Sequence, residues 1–336
     1  MQGFKEKPEK VIGGMVMNKT EFVGSSADKT LRNEAIKGVN AQYDPEKREA
    51  ATQMVEKELA IVKDQGTAPQ YLILLNALKE TGAKSEEFCI RGAAASSILV
   101  HVLGFSRVDP LTVEPRLYSE FFFDITGSKF TPFELNVTTD LHERIRKYFE
   151  NYPGEERITP KYDHDKLIGF YLGDPLTDSY TGEPFYPYYI NIIPVEDPNG
   201  FGESLLSGDI YDTITPKNLP EYIKCLEFKL DIDAWEENAE TLFKEGKAPL
   251  NDLIADREDV YEYMLDHGVE KEMAFRIAEH VRKGKALSKG WNQDMIDAMN
   301  KVSIPEWYRK SCEKIRYLFP RAHAMSFIDC YCKDVV

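Results

Sequence analysis

Trp235, Asn238-Ala239 and Leu242, then Val281-Arg282-Lys283-Gly284-Lys285, Ile304-Pro305-Glu306-Trp307-Tyr308 and Phe319-Pro320-Arg321-Ala322-His323-Ala324 stand as an ordered series of blocks over nearly ninety residues. Within it, Lys271 to His323 holds 12 Lys/Arg and 6 Asp/Glu, a local +6 in a chain of −15, so the remainder carries −21. Such polarity points to a surface for an anion. Ala274, Ile277, Ala278 and Val281 follow the i, i+3, i+4, i+7 rule of a core-facing helix. Gly284 ends that helix and leaves Arg282, Lys283 and Lys285 at its C-terminal end. A solvated cationic end that answers the helix dipole is the plainer account of the same residues.

The chain has 336 residues, enough for two domains or one large one, and its 42% hydrophobic content suffices for a sizeable core. Its acidity argues against nonspecific wrapping of DNA but leaves room for contacts confined to one cleft. Met1 to Lys7 lacks the apolar core of a signal peptide, and no run reaches the ~18 apolar residues of a membrane span, so a cytoplasmic protein with no membrane partner is expected. Cys89, Cys225, Cys312, Cys330 and Cys332 form no CxxC pair and read as reduced thiols rather than a disulfide scaffold or a zinc knuckle. Walker, GxGxxG, HExxH and GxSxG motifs are absent.

Residues 1–35 are polar and read as an arm, 36–200 as an α/β domain, and 201–336 as a mostly helical one. Asp44-Pro45 start a helix that Gly66 stops, Pro69 to Lys79 form a second, Phe88-Cys89-Ile90 a buried strand, and Ile190 to Val195 another. Arg91-Gly92-Ala93-Ala94-Ala95-Ser96-Ser97 opens a helix running to Leu103. A strand, a small-residue turn and a helix start make a possible phosphate seat, though simple tight packing explains the same composition. Tyr186, Tyr188 and Tyr189 offer either base stacking or a rigid packed loop.

The blocks from Trp235 to Ala324 resemble the fingers of the PolC-type (C-family) bacterial DNA polymerase III alpha subunit. Arg91-Gly92, Ser96-Ser97, Leu103-Gly104, Val108-Asp109-Pro110-Leu111 and Tyr118-Ser119-Glu120-Phe121-Phe122 are similar, in order, to its palm. The likeness runs over roughly 32–150 and 200–332. It implies a reduced palm-plus-fingers fold, α/β and mostly α, acting on a DNA primer-template and dNTP. It places Arg91, Gly92, Ser96, Ser97, Arg282, Lys283, Lys285, Lys314, Arg316, Arg321 and His323 around nucleotide phosphates.

Departures from the family are as informative. The cysteine loop that binds zinc in the family has no counterpart in 112–130, so no zinc is expected. Where the family has an Asp-x-Asp pair and Leu-Asn for catalytic Mg2+, this chain reads Pro132-Phe133-Glu134-Leu135-Asn136, which leaves Glu134 as catalytic and metal-binding carboxylate. A third family Asp would fall in a segment read as deleted after Ile192-Ile193-Pro194. Asp163-His164-Asp165, expected in a loop, and Asp231-Ile232-Asp233, after the strand-like Phe228 to Asp231, are the substitute acid pairs. Two function classes follow. One is a template-directed DNA polymerase for DNA replication. The other is a catalytically inactive nucleotide- or nucleic-acid-binding relative or a decayed gene fragment.

Overall fold

The computed structural model describes residues 11–12, 15–16, 25–123, 133–177 and 182–332. They gather into two compact units: the chain up to Thr112 together with Ser119–Glu196, and Val113–Tyr118 together with Asp197 onward. The architecture is mixed α/β with helix predominating.

In the first unit, α1 (Ser25–Gln42), α2 (Pro45–Gln65) and α3 (Ala68–Glu80) lead into β1 (Phe88–Ile90). The polar arm expected for 1–35 is therefore helical from Ser25. Its stripe of Leu31, Ala35 and Val39 at four-residue spacing is fully buried, which outweighs the polar residues between. The part of that arm before Ser25 lies outside the described residues, apart from the short pair Val11–Ile12 and Met15–Val16. Helix α2 begins and ends as its caps dictate: Asp44 is extended, Pro45 leads, and Gly66 turns left-handed at φ 70°. Thr67 N–H then closes on Val62 O at 3.0 Å.

After β1 the chain makes a 3-10 turn over Gly92–Ser96, and α4 (Ile98–Val102) starts only at Ile98. The single helix expected from Arg91 to Leu103 is broken because Ser97 is extended and caps α4, accepting from Val100 N–H at 3.2 Å. Then follow β2 (Phe133–Thr138), α5 (Thr139–Glu150), the hairpin β3 (Ile158–Asp163) and β4 (Lys166–Leu172), and β5 (Tyr189–Val195). The sheet order is β1-β2-β5-β4-β3, with β2 and β5 parallel and every other pair antiparallel. Alternation sends Phe133, Leu135, Val137, Ile190, Ile192, Phe170 and Leu172 into the core, where Phe133 meets the Tyr71 ring edge-on at 4.9 Å and Phe149 meets Phe170 at 4.6 Å. Glu134, Asn136 and Asn191 are thereby turned to the other face.

In the second unit, α6 (Leu219–Leu230), α7 (Arg257–Asp266), α8 (Lys271–Arg282) and α9 (Arg321–Tyr331) are the main helices, joined by shorter turns. The strand expected at Phe228 to Asp231 is instead the end of α6. Asn218 caps that helix, Pro220 sits in its first turn, and Ile223 and Leu226 lie fully buried, so helical burial overrides a four-residue alternation. Helix α8 buries Ala274, Ile277, Ala278 and Val281 as its period dictates. Gly284 follows at φ 61°, and a Cβ there would stand 2.5 Å from the Arg316 carbonyl oxygen. Gly246 has a similar φ of 64° with open space around it. Gly284→Ala should therefore lower unfolding stability by roughly 3 kcal/mol and Gly246→Ala by about 1 kcal/mol, as read from urea denaturation of the two variants.

Candidate functional site

Strand register sets Lys161, Gly169, Asn191 and Glu134 in one transverse row across β3, β4, β5 and β2. Lys161 Nζ donates to Asn191 Oδ1 at 2.9 Å, and Asn191 Nδ2 donates to Glu134 Oε1 at 3.0 Å. The amide orientation is forced, because an ammonium only donates and an ionised carboxylate only accepts. Gly169 lies between the two ends, and a Cβ on it would come within 2.2 Å of Ile190 O, so the lane across β4 stays clear. The ammonium also lies 3.9 Å from the centroid of Tyr189 and 5.7 Å from that of Tyr171, which is itself stacked on Tyr186 at 4.3 Å. Burial lowers the Lys161 pKa and Glu134 pulls it back upward.

A pair of divalent ions needs several oxygen acceptors converging on it. The residue in register with Glu134 on β5 offers an N–H donor instead, with a lysine behind it. These residues do not fit a magnesium pair. Pro132 lies outside the described residues.

The small residues 92–97 suggest a phosphate seat, yet the N-terminus of α4 is already occupied by a buried carboxyl group. Glu58 of α2 reaches it with a carboxylate that accepts from Ser97 Oγ at 2.6 Å, from Leu99 N–H at 2.9 Å and from Ile98 N–H at 3.3 Å. Burial pushes the Glu58 pKa up to about 7 despite those hydrogen bonds and one from Ser119. Ser96 donates to Ala93 O at 2.7 Å, and Arg91 N–H donates to Glu134 O at 2.7 Å, tying the turn to β2. Gly92 holds φ 69° at the turn's start.

The second unit places Arg321 at 4% exposure. Its guanidinium donates to Asp256 at 2.9 Å, to Asp259 at 3.2 Å, to both oxygens of Glu262 at 3.0 and 2.9 Å, and to Arg116 O at 3.1 Å. Its own N–H donates to Glu258 at 3.0 Å. Glu227, Asp256 and Asp259 form a carboxylate triad whose ligand atoms lie within 4.8 Å of one another, and Lys224 joins it at 2.8 Å from Asp259. Burial and the neighbouring Asp256 raise the Glu227 pKa, while Asp256 is lowered, burial being overcome chiefly by Arg321. Sequence reasoning missed Glu58, Lys161 and Asn191 as partners, and missed the acids from 227 to 262. The capping spacing of Asp256 to Asp259 was the available signal.

The remaining phosphate candidates divide by exposure. Arg282 is buried, donating twice to Glu279 and once to Tyr317 Oη, and Lys283 joins Glu279 at 2.8 Å. Burial would raise the Glu279 pKa, but Arg282, Arg257 and Lys283 bring it down to about 2. His323 is buried between Phe319 at 4.9 Å and Phe327 at 4.4 Å. Lys285, Lys314 and Arg316 are exposed, Lys314 donating to Glu237 O at 2.5 Å and Arg316 to Asp233 at 3.1 Å. Asp231 is buried and accepts from Phe319 N–H, so Asp231 and Asp233 are drawn to different partners. His164 and Asp165 form the turn of the β3–β4 hairpin. Arg91, Gly92, Ser96 and Ser97 belong to the first unit and the other candidates to the second.

Residues 29–161 match the family model described as bacterial DNA polymerase III alpha NTPase domain. The PolC-type DNA polymerase III of Caldanaerobacter subterraneus is 35% identical over 128 residues, covering 38% of this chain and 9% of that protein. Those of Oceanobacillus iheyensis and Streptococcus pyogenes are 38% identical over 128 and 130 residues, with the same coverage of 38% and 9%. The chain thus spans about a tenth of the length of the curated relatives it matches. Over the matched residues it is similar to the PolC-type enzymes. No helix of the described residues is long and apolar enough to cross a membrane.

The buried ions set two expectations. The folded Glu58 pKa of about 7 stands above its ordinary 4.5, so its stabilising contribution is full below pH 4.5 and is lost as pH rises through 7. Denaturation at pH 5 and pH 8 should show the stability difference between Glu58→Gln and wild type moving by up to about 3 kcal/mol in favour of the variant. Arg321→Met should cost roughly 3–5 kcal/mol, because it strands buried carboxylates, whereas Arg316→Met should change the melt by less than about 1 kcal/mol.

Proposed function

We propose that this relative of the PolC-type polymerases binds nucleic acid or nucleotide and does not catalyse template-directed synthesis. The observation that carries the reading is the Asn191 amide donating to Glu134 where a second metal-binding carboxylate would be needed. Two-metal phosphoryl transfer uses acids that bridge ions about 3.5–4 Å apart and stabilise both the attacking and the leaving oxygen. One carboxylate faced by an N–H donor and a lysine has no such grip on Mg2+. The unit 2 triad is compensated by Arg321 and Lys224, so it serves the fold rather than a metal.

Contacts with a DNA primer-template or dNTP would run through Lys283, Lys285, Lys314 and Arg316, whose side chains reach solvent. Arg282, Arg321 and His323 are held inside. A divalent-dependent active site would also conflict with the cationic row, whereas a binding role needs no ion.

Purified protein given primer-template, dNTP and Mg2+ or Mn2+ should leave the primer unextended, since each ~1.4 kcal/mol of lost transition-state stabilisation is a tenfold loss of rate. Extension that survives repeated purification and disappears in Glu134→Ala would end this reading. DNA binding measured against salt should weaken with a log-log slope of about −0.7 to −0.9 per phosphate neutralised. Replacing Lys285, Lys314 and Arg316 together by Ala should flatten that slope; an unchanged slope would remove these residues from the interface.

A further inference from the structure

We propose that Lys161 is the resident cation of the Glu134 site, holding the carboxylate in place through Asn191 in an arrangement that excludes a divalent ion. The inference deepens the non-catalytic reading above and rests on it for the meaning of the sheet face.

Four strands contribute one residue each to a single row, and the row has a direction. Lys161 donates a hydrogen bond to Asn191, and Asn191 donates one to Glu134, at 2.9 and 3.0 Å. Every donor in the chain points toward the carboxylate. A metal ion needs the opposite polarity, with acceptor oxygens turned toward it. Reversing the amide would set its oxygen against the carboxylate and its N–H2 against the ammonium, so the row fixes the amide in its metal-repelling orientation.

The ammonium is also built in. Its reach over β4 depends on Gly169, the one member of the row without a side chain, and the close Ile190 carbonyl keeps that position a glycine. Tyr189 and Tyr171 offer their ring faces to it, and the Tyr186 ring stacked on Tyr171 fixes one wall. The groups that face it from neighbouring strands are Glu134 of β2, Tyr171 of β4 and Tyr189 of β5, and Glu134 is the one that favours its charged form. A lysine merely lying on a sheet would have neither the relay nor the ring walls. Lys161 is therefore a positioning residue: it acts on Glu134 through Asn191.

The test is Mn2+ binding to the full chain, followed by the loss of the free-ion EPR signal. A Glu134→Gln version of each protein separates this site from the triad of Glu227, Asp256 and Asp259. Wild type, Lys161→Arg and Asn191→Asp should show no Mn2+ binding that Glu134→Gln removes, because in the last of these Lys161 pairs with the new acid. Lys161→Met with Asn191→Asp should bind Mn2+ at least tenfold more tightly than wild type, and Glu134→Gln should abolish the gain. Glu134-dependent binding in wild type, or a gain in Asn191→Asp alone, overturns the proposal. So does a double variant that melts like wild type yet binds no better. Primer extension by wild type without Glu134-dependent Mn2+ binding would sink the non-catalytic reading and leave Lys161's role intact. Glu134-dependent binding without extension would do the reverse.

Discussion

A charge taken out of water has to be answered by the chain itself, and in this protein that requirement organises both units. Arg321 is the strongest instance. A guanidinium with five fixed N–H donors at 4% exposure must be surrounded by acceptors, and they come from the cap of α7, from its first two turns and from the Val113–Tyr118 stretch. Lys224 of α6 closes the far side at Asp259. The entry of α7, the start of α9 and the placement of α6 are thus tied to one side chain.

The first unit meets the same demand from the opposite sign. Glu58 is a buried acid, and the open N–H groups at the start of α4 supply what solvent cannot. A helix terminus that looks available for phosphate in the sequence is thereby filled by a residue forty positions earlier. On the sheet, Glu134 has its charge balanced across three strands rather than by its immediate neighbours. The two arrangements convert features that suggest ligands into internal contacts. The same is true of Arg282, which finds Glu279 within its own turn of helix.

Much of the fold was legible because it is written in local chemistry. Asp44-Pro45 and Gly66 bound α2, the buried stripe of α8 has the period of a helix, and Phe88 to Ile90 and Ile190 to Val195 are apolar runs of strand length. The failures have equally local causes. Four alternating residues at Phe228 to Asp231 are too few to outweigh a capped helix, and the sparse stripe of α1 hides among polar residues. The site was less legible, since its decisive contacts join residues far apart in sequence. Counting charge along the chain gives +6 between Lys271 and His323, yet the acids that meet Arg321 lie 59 to 65 residues before it. Lys161 sits in a polar run that spacing alone cannot distinguish from a loop, and only the strand register brings it onto a line with Glu134.

The second unit is assembled from two pieces of chain, and its order of synthesis differs from its order of completion. Arg116 contributes a carbonyl to Arg321, 205 residues later. At ~5–20 residues per second, that acceptor emerges from a ribosome roughly ten to forty seconds before its donor exists. For that interval Val113–Tyr118 must keep its backbone hydrated while the sequence on either side of it, which belongs to the other unit, is free to fold. The acidic face of α7 emerges in the meantime with Lys224 already present to meet Asp259, but without the guanidinium that joins its other carboxylates. The full set of contacts in this unit therefore becomes available only once Arg321 has been made.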